Sequence, residues 1–144
     1  MEHYLALFGP DRKAGGYVVT FPDFGYGVTQ GETDAEAMER AQDLLMLTIG
    51  DYIREGKPLP RPSRRRGAKF RPVPLPALRC AKVDLYVAFH ASRLTKAEFA
   101  RRIGIPKTHI ARLFSLRHHS RLDQIEAALR ALGKRLHVEA RDAA

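Results

Sequence analysis

Lys96 to Phe114 reads KAEFARRIGIPKTHIARLF. Phe99, Ala100 and Ile103 share one helical face, and Ile110, Leu113 and Phe114 form a second apolar set. Between the sets stand Gly104, Ile105 and Pro106. Ala100 is small enough to let two helices approach. Gly104, four residues on, falls where the chain turns and a positive φ is useful. Ile110 plugs the second helix back onto the first. This spacing is the helix-turn-helix pattern of DNA-binding repressors. Pro106 suits the first turn of the second helix, where its missing N–H costs nothing. Lys107, Thr108 and His109 open that helix and Arg112 lies one turn on, all able to donate to base edges or phosphates. Arg101, Arg102 and Arg117 flank the motif as expected backbone contacts. The competing reading is a plain helical hairpin with a solvated basic face.

The charge distribution favours DNA. The 144 residues carry a net charge of +9, with 44% hydrophobic content, enough for real cores. Residues 1–60 hold 5 Lys and Arg against 10 Asp and Glu, a net of −5. Residues 61–144 hold 20 against 6, a net of +14. Two modules with different partners are expected: an acidic one suited to a basic protein and a basic one suited to nucleic acid. Cys80 is the one cysteine, which excludes an intrachain disulfide and fits a cytoplasmic protein. It reads as a small apolar residue near a helix start. No apolar run approaches the ~18 residues of a membrane span, and the opening MEHYLALFGPDRK lacks the form of a secretory signal.

Upstream, Tyr4–Phe8 reads as a strand ended by Gly9-Pro10-Asp11, and Tyr17–Phe21 as a second strand antiparallel to it. Val28-Thr29-Gln30 makes a third. Thr33-Asp34-Ala35-Glu36 is a capping box opening a long helix. Ala37, Met38, Ala41, Leu44, Leu45, Ile49 and Tyr52 give it an apolar stripe, and Gly56 and Pro58 end it. Leu59–Arg79 is proline-rich, with seven basic residues and no acid. Within it, residues 70–75 fit an edge strand, the sheet position that tolerates proline. Residues 60–69 form a basic loop, with Arg64-Arg65-Arg66 as a solvated tip.

Downstream, a helix is expected over Leu78–Ser92, and Thr95 with Glu98 caps the first helix of the motif. Ser120 with Asp123 is expected to cap another helix, lined by Leu122, Ile125, Ala128, Leu129 and Leu132 and stopped by Gly133. Leu136, Val138 and Ala140 alternate as a short strand without a local partner. A second copy of the chain would supply one, so a homodimer or higher homo-oligomer is expected.

Gly15-Gly16-Tyr17-Val18-Val19-Thr20-Phe21-Pro22-Asp23, then Val28-Thr29-Gln30-Gly31-Glu32-Thr33 and Glu36-Ala37, resembles the HicB-type antitoxin domain. The match covers roughly residues 4–55 and accommodates 70–75 as the last strand. It departs at Gly25-Tyr26-Gly27, where many members have Pro-Gly and a small residue. The Leu-Asp-x-Ile-Glu-x-Ala-Leu helix and the Gly-Lys-Arg-Leu-x-Val ending resemble the helix-turn-helix branch of that family. The resemblance implies an α+β chain in two parts. Residues 1–76 would be a partial RNase H-like sheet-plus-helix domain without catalytic acids. Residues 77–144 would be an all-α helix-turn-helix domain with a short terminal strand, for DNA binding and dimerisation. It also implies an antitoxin that blocks a small basic HicA-type RNA-cleaving toxin and represses its own operon by operator binding. Tyr17, Asp23, Phe24 and Tyr26 are the candidate toxin contacts.

An enzyme is the opposing class. Asp11, Asp23 and Asp34 are the carboxylates a metal-dependent nuclease would cluster. Turn chemistry accounts for Asp11 and Asp23, and a helix first turn for Asp34. His118-His119 lacks metal-ligand spacing. No catalytic residue, metal or cofactor is therefore expected. A further alternative is a stand-alone helix-turn-helix regulator whose N-terminal domain senses a ligand or a protein.

Overall fold

The computed structural model describes residues 3–143, which divide into two compact units at Pro76–Ala77. In the first unit the strands are β1 (Leu5–Pro10), β2 (Tyr17–Thr20), β3 (Val28–Gly31) and β4 (Phe70–Pro72), with helix α1 (Asp34–Arg54) between β3 and β4. The sheet is antiparallel throughout, in the order β3-β2-β1-β4, so the proline-bearing β4 takes an edge. Phe8 pairs with Val19 and Leu7 with Phe70, which fixes the register.

Alternation along the strands decides which face is covered. Ala6, Phe8 and Val19 are buried with Ala37, Ala41, Leu45 and Ile49 of α1, whereas Leu5, Leu7, Val18 and Thr20 stay half-buried. Full burial of Leu45 or Ile49 stabilises by roughly 1.5–3 kcal/mol each. The helix start is fixed by its capping box: Thr33 Oγ1 accepts from the Glu36 N–H at 3.1 Å, and Glu36 Oε2 accepts from the Glu32 N–H at 2.9 Å. Close approach of sheet and helix depends on Gly31, where a Cβ would lie 2.4 Å from the Ala37 nitrogen.

The boundary at Pro76 revises the charge reading. Residues 61–76 fold with the first unit, which then carries 11 Lys and Arg against 10 Asp and Glu and is not acidic as a whole. Its charge is instead separated along the chain. Residues 32–55 hold seven acids and two arginines, while residues 61–71 hold six cations and no acid.

The second unit contains α2 (Ala77–Ser92), α3 (Lys96–Ile103), a single 3-10 turn (Lys107–His109), α4 (Ile110–Phe114) and α5 (Leu122–Ala131). Its core is an aromatic cluster: Phe89 lies 5.2 Å from Phe99 and 4.9 Å from Phe114, ring centre to ring centre. Ile110, Leu113, Ile125, Ala128 and Leu129 close around it. Thr95 caps α3 by accepting from the Glu98 N–H at 3.1 Å. Gly104 ends α3 in the left-handed conformation, φ 71°, and the Ile105 N–H returns to the Ala100 carbonyl at 3.1 Å. Ala100 is buried, as helix contact requires, and Ile110 is fully buried.

Three local expectations change. Pro106 stands just before the helix as its N-cap, and Lys107–His109 winds as a 3-10 turn because the His109 N–H reaches the Pro106 carbonyl at 2.9 Å. Ser120 does not cap α5. It is buried, its hydroxyl donates to the Arg112 carbonyl at 3.4 Å, and the N-cap is Arg121, without a side-chain cap bond. Asp123 pairs with Arg121 at 3.3 Å in place of completing a box. Residues 134–143 form neither helix nor strand. Leu136–Ala140 is therefore not a strand in the single chain, which offers it no ladder of hydrogen bonds.

Candidate functional site

In the second unit, Lys107, Thr108, His109 and Arg112 are all exposed, grouped on the 3-10 turn and the start of α4. Arg101 and Arg102 are exposed in the last turn of α3, and Arg117 is exposed in the segment after α4. The turn at Gly104 and the buried side of α4 hold these side chains on a fixed frame.

Beneath that frame lies a residue that sequence reading assigned no role. Lys82 of α2 is completely buried, and its ammonium donates to three carbonyls: Arg112 at 3.0 Å, Ser115 at 2.7 Å and His118 at 2.5 Å. These carbonyls belong to the end of α4 and the segment following it, where helical carbonyls lack partners. Ser120 adds a second donor to the Arg112 carbonyl, and Arg79 Nε donates to the Leu116 carbonyl at 3.1 Å. Lys82 and Arg79 thus set the position of the stretch carrying Arg112 and Arg117. Burial, with the Arg79 charge beside it, pushes the Lys82 ammonium down to about 8. The helical phase of Lys82 was the one available signal: it falls one residue before Val83 and three before Leu85, both core positions.

In the first unit the four candidate partner contacts divide. Phe24 is in the core, ringed by Tyr4 at 4.8 Å, Tyr52 at 5.4 Å and Phe21 at 6.4 Å, so its side chain is not offered to a partner. Asp23, 7% exposed at its side chain, accepts from the Ser63 N–H at 3.0 Å and the Ser63 hydroxyl at 2.5 Å, with Arg65 at 3.9 Å. It is a tether for the basic loop. Tyr4 supplies a second tether: its hydroxyl donates to the Pro60 carbonyl at 2.6 Å. Burial first, then the Asp23 charge, drives the Tyr4 phenol well above its ordinary range, so it stays a donor. Tyr17 is half-buried under the Arg71 guanidinium, 5.1 Å from its ring, and Arg71 pairs with Asp34 at 2.6 Å. Tyr26 is the exposed one, at 46%, stacked parallel to Tyr52 of α1 at 6.3 Å. Leu47 of α1 is exposed to the same extent, at 46%.

The three turn carboxylates stand apart, each with a structural partner. Asp11 accepts from the N–H groups of Lys13 and Ala14, Asp23 holds Ser63, and Asp34 holds Arg71. Among the described residues no group of three His, Cys, Asp or Glu is placed to share a metal ion. No described helix is long and apolar enough to cross a membrane.

Residues 3–84 match the family model described as HicB_like antitoxin of bacterial toxin-antitoxin system. Antitoxin HicB of Escherichia coli (strain K12) is 45% identical over 123 residues, covering 85% of this chain and 88% of that one. Antitoxin HicB 1 of Photorhabdus laumondii is 37% identical over 124 residues, 86% of this chain and 78% of that one. A chain of a toxin–antitoxin complex from Streptococcus pneumoniae is 42% identical, with 42% of this chain and 44% of that chain covered and a TM-score of 0.39. The relatives span both units at high identity, and the chain belongs to the HicB-like antitoxins of bacterial toxin–antitoxin systems.

Proposed function

We propose that this antitoxin neutralises a HicA-type RNA-cleaving toxin through its first unit and represses its own operon through its second, acting as a cytoplasmic, non-enzymatic homodimer. The observation that carries the DNA reading is the framed basic turn. Buried Ala100 and Ile110 and left-handed Gly104 hold Lys107, Thr108, His109 and Arg112 exposed on one short helical segment. Residues 77–144 carry 14 Lys and Arg against 6 Asp and Glu, a net of +8 that suits a phosphate backbone. In this reading α3 and α4 are the two helices of a helix-turn-helix, with the second entering the major groove.

For the first unit, four strands with one long helix support a partial RNase H-like domain. A basic toxin would dock along the acidic side of α1, where Glu39 and Asp43 are exposed beside Leu47. Tyr26, stacked on Tyr52, extends that side with an amphipathic aromatic anchor.

Two assays test the proposal together. Purified full-length chain is added to the RNA-cleaving toxin encoded beside it, and is titrated onto a duplex spanning the upstream region of its gene. Loss of RNA cleavage with saturable, sequence-preferring duplex binding is expected. Unchanged cleavage overturns the toxin reading, and equal affinity for upstream and scrambled duplex overturns the repressor reading. Asp43→Lys is expected to weaken toxin neutralisation and leave duplex binding intact.

A further inference from the structure

Between the start of α2 and the segment after α4 lies a small surface recess of about 40 Å³, lined by Leu78, Arg79, Lys82, Leu116, Arg117, His118 and His119. A single water needs roughly 10–15 Å³ of such space, so it admits about three oxygen-sized atoms. Five of these seven residues carry basic side chains, and Leu78 and Leu116 are apolar. Arg117, His118 and His119 are exposed at its rim. Arg79 spends its Nε–H on the Leu116 carbonyl, which aims the guanidinium while its outer N–H groups remain for a ligand. The Lys82 ammonium forms the floor.

The floor makes the recess more than a basic patch. A fully buried ammonium whose hydrogen-bond partners are three neutral carbonyls bears a large desolvation cost. Burial first, and then repulsion from the second cation Arg79 beside it, push the ammonium down to about 8. An anion in the recess would offset both charges. All three Lys82 protons are already used, so Lys82 would act as a fixed charge while Arg79, His118 and His119 supply the donors.

We propose that this recess seats a phosphate group, and that its occupant in the cell is a backbone phosphate of the DNA gripped by the adjoining α4. The proposal rests on the DNA reading above and adds residues to it: Arg79, His118 and His119 become phosphate-positioning groups just past the C-terminal end of the recognition segment. A backbone contact there would set the register of the protein on the duplex without reading sequence. The same chemistry fits free phosphate, so the two sources are tested separately.

The test uses the full chain and two variants, Arg79→Gln and the double variant His118→Gln/His119→Gln, each checked for an unchanged thermal midpoint. The double variant changes exposed side chains alone, so it remains informative if Arg79→Gln loosens the fold. Affinity for a mixed-sequence duplex is measured over a range of salt. Inorganic phosphate is titrated into labelled protein, with amide shifts of residues 116–119 as readout. Both variants are expected to bind duplex several-fold more weakly. Arg79→Gln should make the salt slope shallower by about one unit, and phosphate should move the 116–119 amides in the wild type but not in the double variant. Phosphate binding with unaltered duplex affinity would overturn the DNA backbone as occupant and assign the seat to free phosphate. Wild-type duplex binding matched by both variants, with no amide response to phosphate, would overturn the seat itself. Absence of duplex binding by the wild type would instead strike the DNA reading on which the occupant rests.

Discussion

Asp23 and Ser63, forty residues apart, are joined twice: the Asp23 carboxylate accepts both the N–H and the hydroxyl of Ser63. The proline- and arginine-rich basic loop is thereby pinned to the turn after β2. Tyr4 pins it again at Pro60, and the Arg65 guanidinium lies over the Phe70 ring at 5.7 Å. The consequence is a basic loop held in place, with the chain delivered to the β4 edge.

Replacing Asp23 with alanine removes both bonds from a nearly buried acceptor. A loss of about 2 kcal/mol is expected, since hydrogen bonds to charged groups are worth roughly 1.5–3 kcal/mol. Urea unfolding should show a lower midpoint, and limited trypsin digestion should cut faster at Arg64–Arg66. Digestion at the wild-type rate would show that the loop is not held by this contact.

What the sequence made legible was what neighbours in sequence determine. The Thr33 and Thr95 caps, the Gly104 turn and the antiparallel pair of strands at Tyr4–Phe8 and Tyr17–Phe21 all rest on local spacing, and they stand in the structure. What stayed hidden depends on contacts between distant segments. Asp23 looked like a turn residue because nothing near it names Ser63. Phe24, next to an exposed turn, gave no sign that Tyr4 and Tyr52 enclose it. Lys82 carries a charge that normally stays in water, so its position among the core residues of α2 was the one local mark of its burial under residues 112–118. Ser120 had a cap's spacing, yet the Arg112 carbonyl claimed its hydroxyl. The charge split at residue 60 dissolved once the edge strand drew residues 61–76 into the first unit.

Gly31 is a position where no side chain fits. A Cβ there would lie 2.4 Å from the nitrogen and 2.6 Å from the Cα of Ala37, both backbone atoms of α1. Gly31→Ala must push the helix off the sheet, and a loss of about 3 kcal/mol is expected, the upper end for overpacking. Gly25→Ala offers a contrast: its φ is +74° but nothing lies within 4 Å, so about 1 kcal/mol of backbone cost is expected. Equal melting temperatures for the two variants would contradict the close approach at Gly31.

Lys82 predicts a pH dependence with a definite sign. Its folded value of about 8 lies below the about 10.4 of an unfolded lysine. Between the two, the unfolded chain binds the proton that the native chain lacks, so this group's contribution to stability rises with pH through that window. Below pH 8 both states are protonated and the contribution is level. Lys82→Met lacks the effect and strands three carbonyls, at a cost of about 1–3 kcal/mol. The wild-type advantage over Lys82→Met, from denaturant midpoints, should therefore widen between about pH 8 and about pH 10. An advantage that narrows over that range would contradict the assigned direction.

The segment after Gly133 alternates Leu136, Val138 and Ala140 yet, beyond the Lys134 N–H bond to the Leu129 carbonyl at 2.9 Å, forms no strand ladder with its own chain among the described residues. Val138 is 67% exposed. A ladder with the same segment of a second copy would bury that alternation. Truncation after Gly133 should give monomers in sedimentation, with weakened binding to two-half-site duplexes because the half-sites are no longer linked. A truncated chain that sediments as a dimer would place the interface elsewhere.

The exposed residues of the basic turn should separate by role. Lys107, Thr108 and His109 open the segment that would enter the groove, whereas Arg102 and Arg117 lie outside it on α3 and after α4. Base contacts specify sequence, and phosphate contacts set register and salt dependence. Thr108→Ala or His109→Ala should change which upstream duplex variants bind, by about 1–3 kcal/mol for each well-formed hydrogen-bonded pairing with a base edge. Arg102→Ala or Arg117→Ala should weaken all duplexes alike and make the salt slope shallower by about one unit each. Each variant is titrated on upstream and scrambled duplex at several salt concentrations. If Arg102→Ala altered sequence preference while Thr108→Ala and His109→Ala left it intact, α3 rather than the Lys107–Phe114 segment would be the element in the groove.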